Sequence, residues 1–148
     1  MSDTTEANPL ILSHQFCFAL YATSRAITKV YGPLLDDLGV TYPQYLVLMI
    51  LWEQDGLSIQ QIADRMELEG ATVTPLIQRI EKLKLVQRKR CAKDGRQLQI
   101  HLTAKGRRLR DKALLVPPQL GCALGIKDKD ADRMVRDLKA LRNRITQS

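Results

Sequence analysis

The segment Ser58-Ile-Gln-Gln-Ile-Ala-Asp-Arg-Met66 is followed by Ala71-Thr-Val-Thr-Pro-Leu-Ile-Gln-Arg-Ile-Glu-Lys-Leu83, then by Leu85-Val-Gln-Arg-Lys-Arg90 and Gln97-Leu-Gln-Ile-His-Leu102. These four pieces decide the fold. Ser58 with Gln61 three residues later is a capping box that opens a short helix, with Ile59, Ile62, Ala63 and Met66 facing inward. Glu67 to Gly70 form a turn. A second helix spans roughly Ala71 to Leu83, with Val73, Leu76, Ile77, Ile80 and Leu83 inward. Pro75 requires that helix to start late enough to keep the proline in its first turn. Two short amphipathic helices joined by a tight turn make a helix-turn-helix unit. The next two pieces alternate apolar with polar residues, as strands do, around the turn-prone Cys91-Ala-Lys-Asp-Gly-Arg96. The expected fold is therefore mainly α with a small β-hairpin wing: a winged helix-turn-helix.

Further out, residues 10–30 read as a helix with Phe16, Leu20, Ile27 and Val30 near one stripe, ended or kinked by Tyr31-Gly-Pro33. A short helix through Leu34, Leu35 and Leu38 stops at Gly39. Thr41 caps the next helix and Pro43 suits its first turn. Gln44 to Trp52 is apolar on nearly all sides, so this helix is central, and Asp55-Gly56 closes it. After the wing, Thr103-Ala-Lys-Gly106 leads into a helix. Pro117-Pro118 interrupts the helical stretch, Gly121 and Gly125 loosen it, and Lys127 to Ile145 resumes it with Val135, Leu138, Leu141 and Ile145 at helical spacing. Residues 1–9 read as a flexible N-terminus and 10–148 as one domain. Within it the winged unit covers about 44–104, and apolar helices over about 10–38 and 105–146 flank it as a dimer interface.

A chain of 148 residues typically buries about 70% of its unfolded surface and needs no disulfide or metal staple. With 45% apolar and 26% charged residues, it is not a collagen-like, disordered or disulfide-scaffold chain. The longest apolar run, Tyr45 to Trp52, is far short of the roughly 20 residues of a membrane span. Met1 to Pro9 lacks the pattern of a signal peptide. The expectation is a cytoplasmic protein with no membrane partner. Net charge is +7, but residues 79–112 hold 13 basic and 3 acidic residues, a local balance of +10. Lysines and arginines clustered this way displace counterions from phosphates, so the basic third points to a polyanion partner. The seven aromatics, Phe16, Phe18, Tyr21, Tyr31, Tyr42, Tyr45 and Trp52, all lie in the N-terminal third, which must build an aromatic pocket or core there.

The order of elements resembles the MarR family of dimeric winged-helix regulators over nearly the whole chain, and within it the organic-hydroperoxide-sensing OhrR branch. The resemblance is carried by Phe16-Cys-Phe-Ala-Leu-Tyr-Ala22, Tyr31-Gly-Pro-Leu-Leu-Asp36, Leu38-Gly-Val-Thr-Tyr-Pro-Gln-Tyr-Leu46, Trp52-Glu53, Ala71-Thr-Val-Thr-Pro-Leu76 and Leu102-Thr103. There are two departures. The turn before the second helix reads Leu68-Glu-Gly-Ala71 where the branch usually has Leu-Asp-Ser-Gly, so Gly70 replaces a serine. The wing reads Asp94-Gly-Arg96 in place of an acidic-acidic-Arg run.

The cysteines are Cys17, Cys91 and Cys122. None forms a Cys-x-x-Cys pair, and His14 and His101 stand alone, so neither zinc nor any other cofactor is expected. By itself Cys17 reads first as a small buried hydrophobe, the usual fate of a free cysteine, and second as a reactive thiolate. The resemblance implies the second: a peroxide sensor. It also implies that Tyr31 and Tyr42 support the thiolate across the dimer, and that Tyr21 is a further pocket tyrosine. Phe16, Phe18 and Trp52 read either as lining an apolar peroxide pocket or as core packing. Cys122 resembles the resolving cysteine of two-cysteine members, which would pair with Cys17 of the other subunit. Cys91 matches no family role.

The N-terminal end of the second helix should enter a major groove, with Thr72, Thr74, Gln78 and Arg79 facing outward. Arg79 suits guanine and Gln78 adenine. Arg96 at the wing tip suits a narrow minor groove, with Asp94 orienting it. Arg88, Lys89, Arg90 and Lys93 suit phosphates. The expectation is a homodimeric repressor of a pseudo-palindromic DNA operator, released when organic hydroperoxide oxidises Cys17. Its first rival is a repressor of the same family released by a small aromatic ligand. Its second is a thiol peroxidase, against which the basic cluster and the wing both argue, and no enzymatic activity is expected.

Overall fold

The computed structural model describes residues 8–93 and 95–147. Most of the proposed flexible N-terminus, together with Asp94, lies outside the described residues. Among the described residues, a 3-10 turn over Leu12–His14 precedes α1 (Phe16–Leu35), and a second 3-10 turn over Asp36–Leu38 follows it. Then come α2 (Tyr42–Glu53), α3 (Ile59–Met66), α4 (Gly70–Lys82), the strands β1 (Val86–Arg90) and β2 (Leu98–Leu102), and α5 (Ala104–Ala113), α6 (Val116–Leu124) and α7 (Asp128–Thr146). The expected winged helix-turn-helix is present: α3 and α4 form the helix pair, and the strands form an antiparallel hairpin in which Val86 pairs with Leu102 and Arg90 with Leu98. Among the described residues, no single helix is long and apolar enough to cross a membrane.

The caps act where the sequence put them. The Ser58 hydroxyl accepts from the Gln61 N–H at 3.1 Å, and the Gln61 side chain returns a bond from the Ser58 N–H at 2.9 Å. The Gln44 side chain accepts from the Thr41 N–H at 3.1 Å, and Pro43 lies in the first turn of α2. Gly39 ends the preceding 3-10 turn at φ +70°, a backbone conformation that costs glycine nothing. Pro117 and Pro118 start α6, where a missing N–H breaks no helical bond.

Four expectations need correction. The first helix begins at Phe16 rather than residue 10, and it runs through Pro33 to Leu35. A proline two residues from a helix end removes one hydrogen bond from a turn that is already finishing. Leu34 and Leu35 therefore belong to α1. The helix α4 starts at Gly70, so Pro75 lies beyond its first turn and deprives the Ala71 carbonyl of its usual donor. Leu83 falls past the end of α4 and is 39% exposed, because the chain has already left the helical register that would turn it inward.

The core centres on α2. Val47, Leu48 and Leu51 are buried there among Ile62, Val73, Ile77, Ile80, Val86 and Ile100. A knot of hydrogen bonds fixes the wing to this core. The Thr103 N–H donates to the Leu85 carbonyl at 3.0 Å, and its hydroxyl donates to the Lys84 carbonyl at 2.7 Å while accepting from the Gly106 N–H at 3.0 Å. The Trp52 indole N–H donates to the Gly106 carbonyl at 2.9 Å. The Asp55 carboxylate accepts from the Leu102 N–H at 2.9 Å, with Arg107 3.6 Å away. Gly106 is required by contact rather than by φ, since a Cβ there would lie 2.1 Å from the Leu85 carbonyl oxygen.

Gly106→Ala is therefore expected to destabilise the fold by about 1–3 kcal/mol, the usual cost of overpacking against backbone. This should hold although alanine is the better helix former by about 1 kcal/mol. Urea unfolding followed by circular dichroism measures the change, and an unaltered midpoint would refute the packing argument.

Candidate functional site

The residues proposed from the sequence fall into two separate places. The first is the exposed side of the winged unit. On α4, Thr72, Gln78 and Arg79 are exposed and Val73, Ile77 and Ile80 are buried, so the helix presents one polar face. Thr74 differs from the outward expectation. It is half-buried, and its hydroxyl donates to the Gly70 carbonyl at 2.8 Å. The Lys89 and Arg90 side chains are exposed on β1, whereas Arg88 is held at 3.0 Å by Glu81. Arg90 donates to the Gly95 carbonyl at 2.8 Å and so stiffens the wing tip, where Arg96 is exposed. The expected Asp94 partner of Arg96 lies outside the described residues.

The second place is the aromatic third. Tyr31, Tyr42, Tyr45 and Trp52 form a stair, with ring centroids 4.4 Å apart from Tyr31 to Tyr42, 6.5 Å from Tyr42 to Tyr45 and 6.4 Å from Tyr45 to Trp52. Burial, with Tyr42 and Tyr45 nearby, pushes the Tyr31 phenol up to about 12. Burial also raises Tyr42 and Tyr45 above the ordinary phenol value. All three hydroxyls therefore stay protonated at neutral pH and are available as donors. None of them has a hydrogen-bond partner among the described residues. Tyr45, the most buried of the three, is the member that the sequence left unassigned. Its place between Tyr42 and Trp52 on the inward face of α2 was the available signal.

Cys17 is not beside these tyrosines. It is exposed in the first turn of α1. An α-helix rises 1.5 Å per residue, so Cys17 and Tyr31 on the same straight helix stand about 21 Å apart. Within one chain the two cannot meet. Phe16 and Phe18 flank Cys17 and are 59% and 38% exposed, while Trp52 belongs to the stair. The three aromatics expected to line one pocket are thus split between two locations within the chain, because helical spacing gives a face and not what covers it. Trp52 instead lines a cavity of about 330 Å³ with Tyr45, Met49, Arg110, Leu114 and Pro117. Tyr21 is exposed and carries the Arg25 guanidinium 5.6 Å above its ring. Cys122 is exposed on α6, Cys91 is half-buried at the wing, and all three thiols are free.

Residues 29–113 match the family of transcriptional regulators SarA/Rot. The chain belongs to that family. Its winged helix is of the MarR type. It is 41% identical over 134 residues to the organic hydroperoxide resistance transcriptional regulator of Bacillus subtilis (strain 168), covering 90% of this chain and 86% of the relative. Among solved structures it is similar to AbfR of Staphylococcus epidermidis, in its reduced form and bound to DNA, with 31% identity and a TM-score of 0.78 over 92% of this chain and 93% of that one. Against the disulfide form of AbfR the TM-score is 0.61, over 92% and 90%. CouR of Rhodococcus jostii RHA1, bound to p-coumaroyl-CoA, gives a TM-score of 0.75 at 27% identity over 89% and 94%. This regulator's fold is thus shared by relatives that differ in what they respond to.

The raised phenols make a prediction about alkali. A group whose folded pKa exceeds its unfolded value contributes stability that is complete below the unfolded pKa and lost as pH rises through the folded one. Stability should therefore decline between pH 10 and about 12, the window set by Tyr31. Tyr31→Phe should flatten that decline in denaturant titrations across this range, and an unchanged slope would show that the phenol is not protected.

Proposed function

We propose that the chain is a homodimeric transcriptional repressor, a regulator rather than an enzyme, that holds a pseudo-palindromic DNA operator when Cys17 is reduced. Organic hydroperoxide is its inducer. The observation that carries this reading is the pairing of unsatisfied groups. Tyr31 and Tyr42 offer phenol donors with no partner among the described residues, and Cys17 stands about 21 Å away at the other end of α1. A second copy running antiparallel brings one subunit's Cys17 to the other's phenols. Phenol donors there would stabilise a thiolate.

The surface supports two copies. Leu12, Phe16, Phe18 and Tyr21 leave an apolar face on the N-terminal segment, and Met134, Val135, Leu138 and Ile145 leave another on α7, none of whose residues is buried. Large apolar side chains left exposed in this number on two elements fit an interaction surface. In a dimer Phe16 and Phe18 would wall the thiolate from water and favour organic over small polar peroxides, with Tyr21 at the rim.

In the proposed reaction, the Cys17 thiolate attacks the outer oxygen of the hydroperoxide. The O–O bond breaks, an alkoxide leaves and takes up a proton, and the sulfur becomes a sulfenic acid. The thiol of Cys122 in the other subunit then displaces water from that sulfur to give a disulfide. The phenols lose their anionic acceptor, α6 is drawn toward α1, and the two winged units lose the one-turn spacing that a duplex requires. On the DNA side, α4 enters the major groove with Thr72, Gln78 and Arg79 outward, and Arg96 reaches the minor groove from the wing. The better superposition on reduced, DNA-bound AbfR than on its disulfide form agrees with a reduced, binding-competent conformation. The similarity to the Bacillus subtilis regulator points to the same class of inducer.

A second reading rests on the cavity of about 330 Å³ between α2 and α5, whose lining includes Arg110 and Glu53 as well as Tyr45 and Trp52. It would suit an aromatic acid as inducer. Mobility shifts separate the two readings. Cumene hydroperoxide should release DNA from the wild-type chain and not from Cys17→Ser. Release of Cys17→Ser to the wild-type extent would refute the thiol trigger, and release by phenolic acids with peroxide insensitivity would favour the cavity. Non-reducing electrophoresis after peroxide should give a covalent dimer that is lost in either Cys17→Ser or Cys122→Ser.

A further inference from the structure

A cleft of about 660 Å³ opens between the start of α2 and the second half of α4, lined by Thr41, Gln44, Pro75, Gln78, Arg79 and Lys82. Gln44 is only 6% exposed. Its Oε1 accepts from the Thr41 N–H, which fixes the orientation of the amide and leaves Nε2 as the end with hydrogens to give. That nitrogen has no partner among the described residues, and it borders the cleft. No buried side-chain nitrogen or oxygen among the described residues is left without a partner, so this nitrogen reaches solvent, and an amide held in place by its own oxygen at the edge of an opening is a donor set for something that enters from outside.

The other groups around the cleft carry the same sign. Pro43 brings no N–H to the first turn of α2 and the Thr41–Gln44 capping box occupies another, so the helix start contributes the positive end of its dipole rather than a row of free donors. Arg79 and Lys82 face the cleft with no carboxylate in ion-pair contact among the described residues. The acidic residue between them, Glu81, is taken up by Arg88 on the wing side. Amide donor, helix N-terminus and two cations around one opening call for an anion.

The position along α4 says which anion. Base edges are read by the N-terminal residues of a recognition helix. Arg79 and Lys82 lie two to three turns behind Thr72, about 10 Å and 15 Å along the axis. At that distance the helix is leaving the floor of the groove and its flank meets the sugar-phosphate wall. We propose that this cleft seats a backbone phosphate of duplex DNA, bound by Gln44, Arg79 and Lys82. Resting on the DNA-binding reading above, the proposal gives Arg79 a phosphate in place of a guanine, and it enlists Gln44 and Lys82, which the sequence had left out.

Two variants test it in the reduced full-length chain. Lys82→Ala removes an exposed cation. Gln44→Glu keeps the oxygen that caps Thr41 and replaces the amide NH2 with a negative oxygen. Fluorescence anisotropy would use two duplexes, one selected in vitro for tight binding and one of mixed sequence. Both variants should weaken both duplexes by the same factor, about tenfold at fixed salt. Lys82→Ala should also reduce the slope of log K against log salt by about 0.9, the value for one phosphate contact. Wild-type affinity and slope in both variants would overturn the site. A loss confined to the selected duplex would overturn it too, by making these residues base readers. If the wild-type chain itself bound neither duplex, the DNA-binding reading would fall and the site with it.

Discussion

One close approach organises the molecule: the backbone of Gly106 against the carbonyl of Leu85. Because no side chain intervenes, α5 starts directly on the base of the wing, and four hydrogen bonds, three through Thr103 and one from Trp52, converge there. Thr103 ties the start of α5 to the chain between α4 and β1. Trp52 ties the end of α2 to the same turn. Nearby, Asp55 accepts from β2 and draws in Arg107. The aromatic stair on α2 and the wing therefore share one rigid junction. A displacement of the stair moves the wing with it, because packed cores shift between discrete arrangements and do not flex continuously.

That junction explains how a chemical event in one half of the chain can be felt in the other. The helix rise places Cys17 about 21 Å from Tyr31, so the proposed sensing thiol and the Tyr31 phenol lie at opposite ends of α1. An antiparallel second copy closes the gap at both ends at once. In the proposed dimer, each subunit's thiol would report through the other subunit's stair, and through Trp52 to that subunit's wing. Coupling of this kind is legitimate only where reduced and oxidised states differ in affinity for the operator. In the proposed mechanism, repacking of two winged units about a shared dimer core would supply that difference.

Much of the fold was legible because it is written in local chemistry. Capping boxes at Ser58 and Thr41, alternation in the two strands and the glycine after Leu38 each act over a few residues, and each is where it was read. Where local rules were misapplied, the reasons are equally local. Pro33 is admitted because the helix ends within two residues, and Pro75 is carried inside α4 although the Ala71 carbonyl loses its donor. The site was less legible. Periodicity told that Phe16 and Phe18 lie on an apolar face of α1, but what covers a face is a tertiary or quaternary fact. Thr74 looked outward by spacing, yet its hydroxyl is consumed by the Gly70 carbonyl. Gln44 was read as the start of an apolar helix, and only its burial with a spare amide gave it a second meaning.

The protonation state of the stair carries the remaining step. A phenol whose ionisation is pushed upward by burial can donate a hydrogen bond throughout the physiological range and can never become a competing anion there. Tyr31 and Tyr42 are thus fixed as donors waiting for an acceptor. A thiolate accepts strongly, a neutral sulfenic acid weakly, and a disulfide hardly at all, so each stage of the proposed oxidation removes more of what holds the stair in place. In the proposed switch the signal would be graded by the chemistry of one sulfur atom, while the response would be all-or-none, because a winged unit either matches the helical repeat of its duplex or does not.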